Sequence, residues 1–146
     1  MQSLLNDEGY NQIKERLKAI NPESDRLWGK MEAPQMFKHC QYPLITGLNT
    51  EPVKTKFNPM VWFFKKSLYN DKLWRKNMPT PKRFQIRDER DFDTEKQKLT
   101  DLIDAFHARK TDDNWQNHPM FGTFTKQQWG QMQYKHLDHH FRQFGV

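Results

Sequence analysis

Trp129-Gly130-Gln131-Met132-Gln133-Tyr134-Lys135-His136-Leu137-Asp138-His139-His140-Phe141-Arg142-Gln143-Phe144 decides the reading of this chain. Trp129, Met132, Gln133, His136, Leu137, His140, Phe141 and Phe144 recur at the spacing of one buried helical face. Thr125 stands where an N-cap belongs, and Gln128 three residues on completes a capping box. No proline interrupts the run, and Gly145 supplies a stop. His136 and His140 are four apart, so their imidazoles sit one above the other on this helix, Cβ atoms roughly 6 Å apart. Two neutral imidazoles so placed can share a transition-metal ion, and two unpartnered ones within an apolar stripe would be costly. His139 falls toward the edge of the stripe and is the weaker ligand candidate. The pair is not that of a zinc protease: Leu137 stands where the general-base Glu belongs, and Asp138 points away.

Outward from this helix, the rest of the chain also reads as helical. Ser3 to Ile20 carries Leu4, Leu5, Ile13, Leu17 and Ile20, and Asn21-Pro22 ends it. A second helix is expected from Pro34 to about Leu48, with Met36, Phe37, Cys40, Leu44, Ile45 and Leu48 inward and a kink at Pro43. Met60 to Tyr69 reads as a short aromatic helix, and Lys72 to Asp93 as irregular around Met78-Pro79-Thr80-Pro81. A third long helix is expected from Thr94 to Arg109, capped by Asp93 or Thr94, with Leu99, Leu102, Ile103 and Phe106 inward. Thr111 to Phe124 is a loop. Four amphipathic helices without strand signals predict one all-α bundle domain over residues 1–146.

With 146 residues and 14% aromatic side chains, the chain can bury a core despite 29% charged residues. One cysteine excludes an intramolecular disulfide, and neither a signal peptide nor an apolar run of membrane-spanning length is present. A soluble cytoplasmic protein is the expectation, with no membrane partner. The net charge of +6 is local: residues 51–90 hold eleven basic and four acidic side chains. Lys54, Lys56, Lys65, Lys66, Arg75, Lys76, Lys82 and Arg83, with Phe57, Trp62 and Trp74 between them, could serve a nucleic-acid or acidic partner. A solvated excursion from a bundle, with Trp62, Phe63 and Phe64 filling core beneath it, is the preferred reading.

A third ligand must come from another core-facing helix. His39, amid Phe37, Cys40 and Ile45, meets that description best. His107 suits the C-terminal dipole of its helix, His118 precedes a proline in a loop and could line a site mouth, and Cys40 reads as a buried thiol.

Two segments resemble the DinB-like superfamily of metal-binding four-helix bundles, in a branch catalogued as a domain of unknown function. They are Trp28-Gly29-Lys30-Met31-Glu32-Ala33-Pro34-Gln35-Met36-Phe37-Lys38-His39-Cys40, and His118-Pro119-Met120-Phe121-Gly122 followed by Trp129 and the Tyr134 to Gly145 run. The superfamily pattern places one histidine early in helix two, then HxxxH in the last helix with Gln three residues on. His39, His136, His140 and Gln143 match it, while the basic 51–90 segment is longer than the pattern. The resemblance implies an up-down-down-up bundle, a three-histidine divalent-metal site open to solvent, and frequent homodimers. Some relatives are thiol-dependent transferases or isomerases. Zinc or nickel suits imidazole ligands, Gln143 could orient His140, and His118 and Trp28 could shape the entrance. The expected function is activation of a thiol or of water on a small-molecule substrate, as a transferase or hydrolase; a nucleic-acid module and a metal-braced scaffold are the alternatives.

Overall fold

The computed structural model describes residues 1–55 and 59–146, with the side chains of Met60 and Trp62 left out. Its five α-helices are α1 (Asp7–Ala19), α2 (Ala33–Leu48), α3 (Pro59–Lys65), α4 (Phe92–Ala108) and α5 (Lys126–Phe141). Among the described residues there is no strand, only an isolated bridge between His118 and Gly122, so the fold is all-α. Among the described residues no helix is long and apolar enough to cross a membrane.

Caps explain where the long helices begin. Thr125 accepts the Gln128 amide at 3.2 Å, while Gln128 Oε1 accepts the Thr125 amide at 3.0 Å, closing the expected box at α5. Glu32 and Gln35 form a second box at α2, with Pro34 in the first turn. At α4 the cap is Asp91, whose carboxylate accepts the Thr94 amide at 2.8 Å, two residues earlier than Asp93 or three before Thr94. α1 starts at Asp7 rather than Ser3. Ser3 to Asn6 makes a turn instead, in which Ser3 Oγ accepts the Leu5 amide and the Leu4 amide donates to the Gly130 carbonyl. Leu4 and Leu5 are nonetheless buried, from the turn and not from a helix face. α5 gives way at Arg142–Phe144 to a 3₁₀ turn, and Gly145 closes it at φ 76°.

The core gathers Leu4, Ile13 and Leu17, then Met36, Phe37, Cys40 and Leu44, then Leu99, Ile103 and Phe106, then Trp129, Leu137 and Phe141. Two expectations about burial fail. Ile45 is 49% exposed, on the side of α2 away from its partners, and Phe63 and Phe64 are 75% and 62% exposed. α3 has only two turns, so its Phe63-Phe64 face cannot reach the core that the four longer helices already fill.

Side-chain links set the direction of each pair. Tyr134–Gln12 and Arg16–Asp138 ascend together, so α1 and α5 run parallel. Gln41–Glu95 and Arg109 to the Gly47 carbonyl ascend together along α2 and α4, which are therefore parallel too. Tyr10–Asp104 with Lys96 to the Ile20 carbonyl makes α1 and α4 antiparallel. Parallel neighbours require a return over the length of α2, about 24 Å for sixteen residues. The basic 51–90 excursion is that return, and its route takes it across the histidines.

Candidate metal centre

The centre is assembled by the register between α2 and α5. Gln133 Nε2, fully buried, donates to the Pro43 carbonyl at 2.6 Å. One turn further along α5 and one turn back along α2, His136 meets His39, so the two helices run antiparallel here. His136 Nε2 lies 3.2 Å from His39 Nε2. His140, one turn beyond His136, closes the triangle: its ring centroid is 4.6 Å from those of both His39 and His136. One ligand nitrogen from each of the three lies within 4.8 Å of the others.

Acceptor-only partners settle two tautomers. His39 Nδ1–H donates to the Phe84 carbonyl at 3.0 Å, and His140 Nδ1–H donates to Gln143 Oε1 at 2.6 Å. In the neutral rings the lone pair is then on Nε2, inside the triangle. Burial lowers the His39 pKa, lowers that of His136 well below the usual value with help from neighbouring imidazoles, and takes His140 down to about 3. All three are neutral near pH 7, the state that binds metals.

The three residues fit a divalent ion, and without one the arrangement lacks a partner. His136 Nδ1 is buried with no hydrogen-bond partner. If His136 carries its proton on Nε2, facing His39, the Nδ1 lone pair is unused; if it carries it on Nδ1, two lone pairs face each other across 3.2 Å. Two nitrogens at zinc distance in a tetrahedral arrangement stand about 3.4 Å apart, close to the spacing found. These three buried histidines could hold a metal ion.

Gly29 makes the Gln143 contact possible. Its φ is 90°, and a Cβ placed there would lie 2.7 Å from Gln143 Nε2. The Leu27 amide donates to the Gln143 carbonyl at 2.6 Å, so the Leu27–Gly29 turn is fastened to the 3₁₀ turn carrying Gln143. The same turn places Trp28 edge-on to His139, centroids 4.9 Å apart. His139 is outside the ligand triangle, packs on His140 at 5.2 Å, and has its pKa pushed down to about 4 by burial.

The return segment closes the other side. Trp74 approaches His139 at 5.4 Å and His136 at 6.0 Å, and its indole N–H donates to the Ser67 carbonyl. Lys135, 7% exposed, donates to the Ser67 carbonyl at 2.7 Å and to the Asn70 carbonyl and Oδ1 at 2.9 and 2.7 Å. Trp74 is thus turned toward the histidines and is not an exposed stacking platform. Lys65 donates to the Thr123 carbonyl and Arg83 to Met120 Sδ. Of the other residues considered for nucleic-acid contact, Lys56, Phe57 and the Trp62 side chain lie outside the described residues.

Other candidates are placed elsewhere. His118 stacks on Trp129 at 5.3 Å, and Trp129 precedes His136 by two helical turns, about 10 Å along the axis. His118 Nδ1 accepts the Met120 and Phe121 amides at 3.1 and 3.3 Å; it braces its own loop rather than the entrance. His107 does not act on a helix dipole alone: Nδ1–H donates to the Leu4 carbonyl and Nε2 meets Asp7, while the ring stacks on Tyr10. Cys40 is fully buried with Sγ 3.6 Å from Met36 Sδ, and burial pushes its thiol pKa well up. The sequence reading gave Trp74 to a nucleic-acid surface rather than to the centre, and missed Lys135 and the Phe84 carbonyl. A backbone carbonyl leaves no trace in sequence, and neither Trp74 nor Lys135 carries a spacing that ties it to the histidines.

No curated protein and no solved structure matches the chain. A family model matches residues 4–145, which include every element of the centre. The chain therefore belongs to the family described as "Protein of unknown function (DUF1569)".

Proposed function

We propose that this chain is a metal-dependent enzyme acting on a small molecule, with His39, His136 and His140 as ligands of one zinc or nickel ion. The observation that carries the reading is the pair of acceptor-locked tautomers, which aim two Nε2 lone pairs into a triangle completed by His136. A divalent ion there supplies Lewis acidity that lowers the pKa of a thiol or of water. His39 and His140 are oriented by Phe84 and Gln143, while Trp28 and Trp74 restrict bulk water around His139. Water activation ordinarily needs a neighbouring base, and Asp138 is committed to Arg16 at 2.7 Å. This favours a thiol transferase over a hydrolase. The helix senses support an up-down-down-up four-helix bundle of DinB-like type, and a homodimer in the cytoplasm is part of the same reading.

Elemental analysis of gently purified or reconstituted protein tests it. About one zinc or nickel per chain is expected, and the metal-loaded form should turn over in a panel of thiol-transfer, ester and amide substrates. Metal well under one equivalent would refute the site. Activity that survives both metal removal and His140→Ala would refute the mechanism.

A further inference from the structure

The three histidines are closed over: His39, His136 and His140 are 8, 9 and 6% exposed. An ion or a substrate reaches ring nitrogens so placed only when a covering segment moves. Outside α2 and α5, three segments lie against the cluster. The Leu27–Gly29 turn is fastened through its backbone, by the Leu27 amide on the Gln143 carbonyl. The Phe84 segment is fastened along its length: its carbonyl accepts from His39, Ile86 is buried, and Gln35 Nε2 donates to the Asp88 carbonyl at 3.1 Å.

The third segment is held differently. Leu68 and Tyr69 pack against the core, but from Asp71 to Met78 every side chain except Trp74 is exposed, Leu73 by 64%. Trp74 is the one inward side chain of this stretch, and its ring lies over His136 and His139. The polar ties are few. The indole N–H donates to the Ser67 carbonyl, and Lys135 Nζ donates to Ser67 and Asn70 while standing 5.5 Å from the indole centroid. The Met1 amino group meets the exposed Asp71 carboxylate at 3.4 Å. At the far end Asn77 has φ 56°, a left-handed conformation that asparagine tolerates better than most residues. A segment with so little buried apolar area opens at low cost compared with its neighbours.

On the reading of the histidines as metal ligands, we propose that residues 70–77 form a gate over the centre, with Trp74 as its door and Lys135 as its latch. The stretch swings between Tyr69, packed on the core, and Asn77. Opening lifts the indole off His136 and His139 and frees Asn70 from Lys135, while α2 and α5 keep the three imidazoles in place. The latch stands on the helix that carries two of the ligands, one residue before His136. Because the open form precedes both entry and exit, such a gate sets how fast an ion exchanges and not how tightly it is held.

Zinc exchange in the full chain tests this. Uptake is followed after mixing metal-free protein with zinc, and release after mixing zinc-loaded protein with excess chromophoric chelator. In the unaltered protein the release rate should not depend on chelator concentration, since opening comes first. Trp74→Ala and Lys135→Met should each speed uptake and release together by about tenfold, equivalent to about 1.4 kcal/mol less to open, with affinity unchanged within about twofold. Asn70→Ala, which removes only the bond to Asn70 Oδ1, should speed both by a smaller factor, and serves if Lys135→Met folds poorly. Release that rises with chelator concentration, rates unchanged in all three variants, or faster release with proportionately weaker binding would overturn the gate while leaving the metal site standing. A chain that takes up no zinc would overturn the metal reading and the gate together.

Discussion

Replacing Gly29 by Ala perturbs the metal centre without touching a ligand. Two costs follow from the geometry. Gly29 has φ 90°, and an L-residue held in such a conformation loses about 1–2 kcal/mol. The new Cβ would also stand 2.7 Å from Gln143 Nε2, closer than side-chain atoms tolerate. The Gln143 backbone cannot yield, since its carbonyl is bound to the Leu27 amide at 2.6 Å, so the amide group must withdraw. Withdrawal pulls Oε1 off His140 Nδ1–H, now 2.6 Å away, and leaves that donor unpaired in a buried site. Loss of such an orienting bond weakens metal binding by about 10–100-fold. The backbone term alone should lower the melting temperature of metal-free protein by about 3–8 °C. Competition for zinc against a chromophoric chelator at neutral pH measures the first effect, and thermal unfolding the second. Gln143→Leu should weaken zinc by a similar factor, and the double variant should be scarcely worse than Gln143→Leu, because both act through one hydrogen bond. If Gly29→Ala melts early but binds zinc as tightly as the unaltered protein, Gln143 does not tune His140 and the reasoning is wrong.

Removing ligands one at a time separates neighbours: His39→Ala, His136→Ala and His140→Ala should each abolish bound metal by elemental analysis. His139→Ala, His107→Ala and His118→Ala should retain about one equivalent, and a metal-free His139→Ala would mean the wrong helix face. Burial pushes the His118 pKa down to about 4, so the unfolded chain takes up its proton first as pH falls through 6.5. The stability that neutral His118 contributes is therefore full above about pH 6.5 and lost between there and about 4, up to about 3 kcal/mol. Denaturant titrations at a series of pH values should show an acid limb that is shallower in His118→Asn; an unchanged limb would contradict the assignment. Lys135→Met should leave the Asn70 carbonyl without its donor and the Ser67 carbonyl with the Trp74 indole alone, at a cost of about 1–3 kcal/mol, detected as faster proteolysis between residues 66 and 78 and a red-shifted Trp74 emission.

Local rules were enough for the sequence to determine the all-α class, the α5 capping box, the shared face of His136 and His140, and the burial of Cys40. Helical period and capping chemistry depend only on residues three or four apart, so one chain segment carries all the information. His39 was legible from its place among the apolar residues of a second core-facing helix, whereas Gln143 was legible only through a resemblance in spacing. The ends of α1 and α4 shifted by a few residues because a competing turn at Ser3 and a better cap at Asp91 are decided by which hydrogen bonds the packed chain leaves available. Phe63 and Phe64 looked like core by composition, yet the volume beneath them was already filled by longer helices. That α2 and α4 run parallel is a sense the resemblance implied but no local spacing encodes; the tertiary contacts decide it, and the rest of the site follows from that. A parallel pair forces the 51–90 return across the bundle, and this return brings Trp74 onto His136 and the Phe84 carbonyl onto His39. Those contacts join residues 45 or more positions apart, and no local periodicity encodes them; packing and the need to pair buried ring nitrogens do.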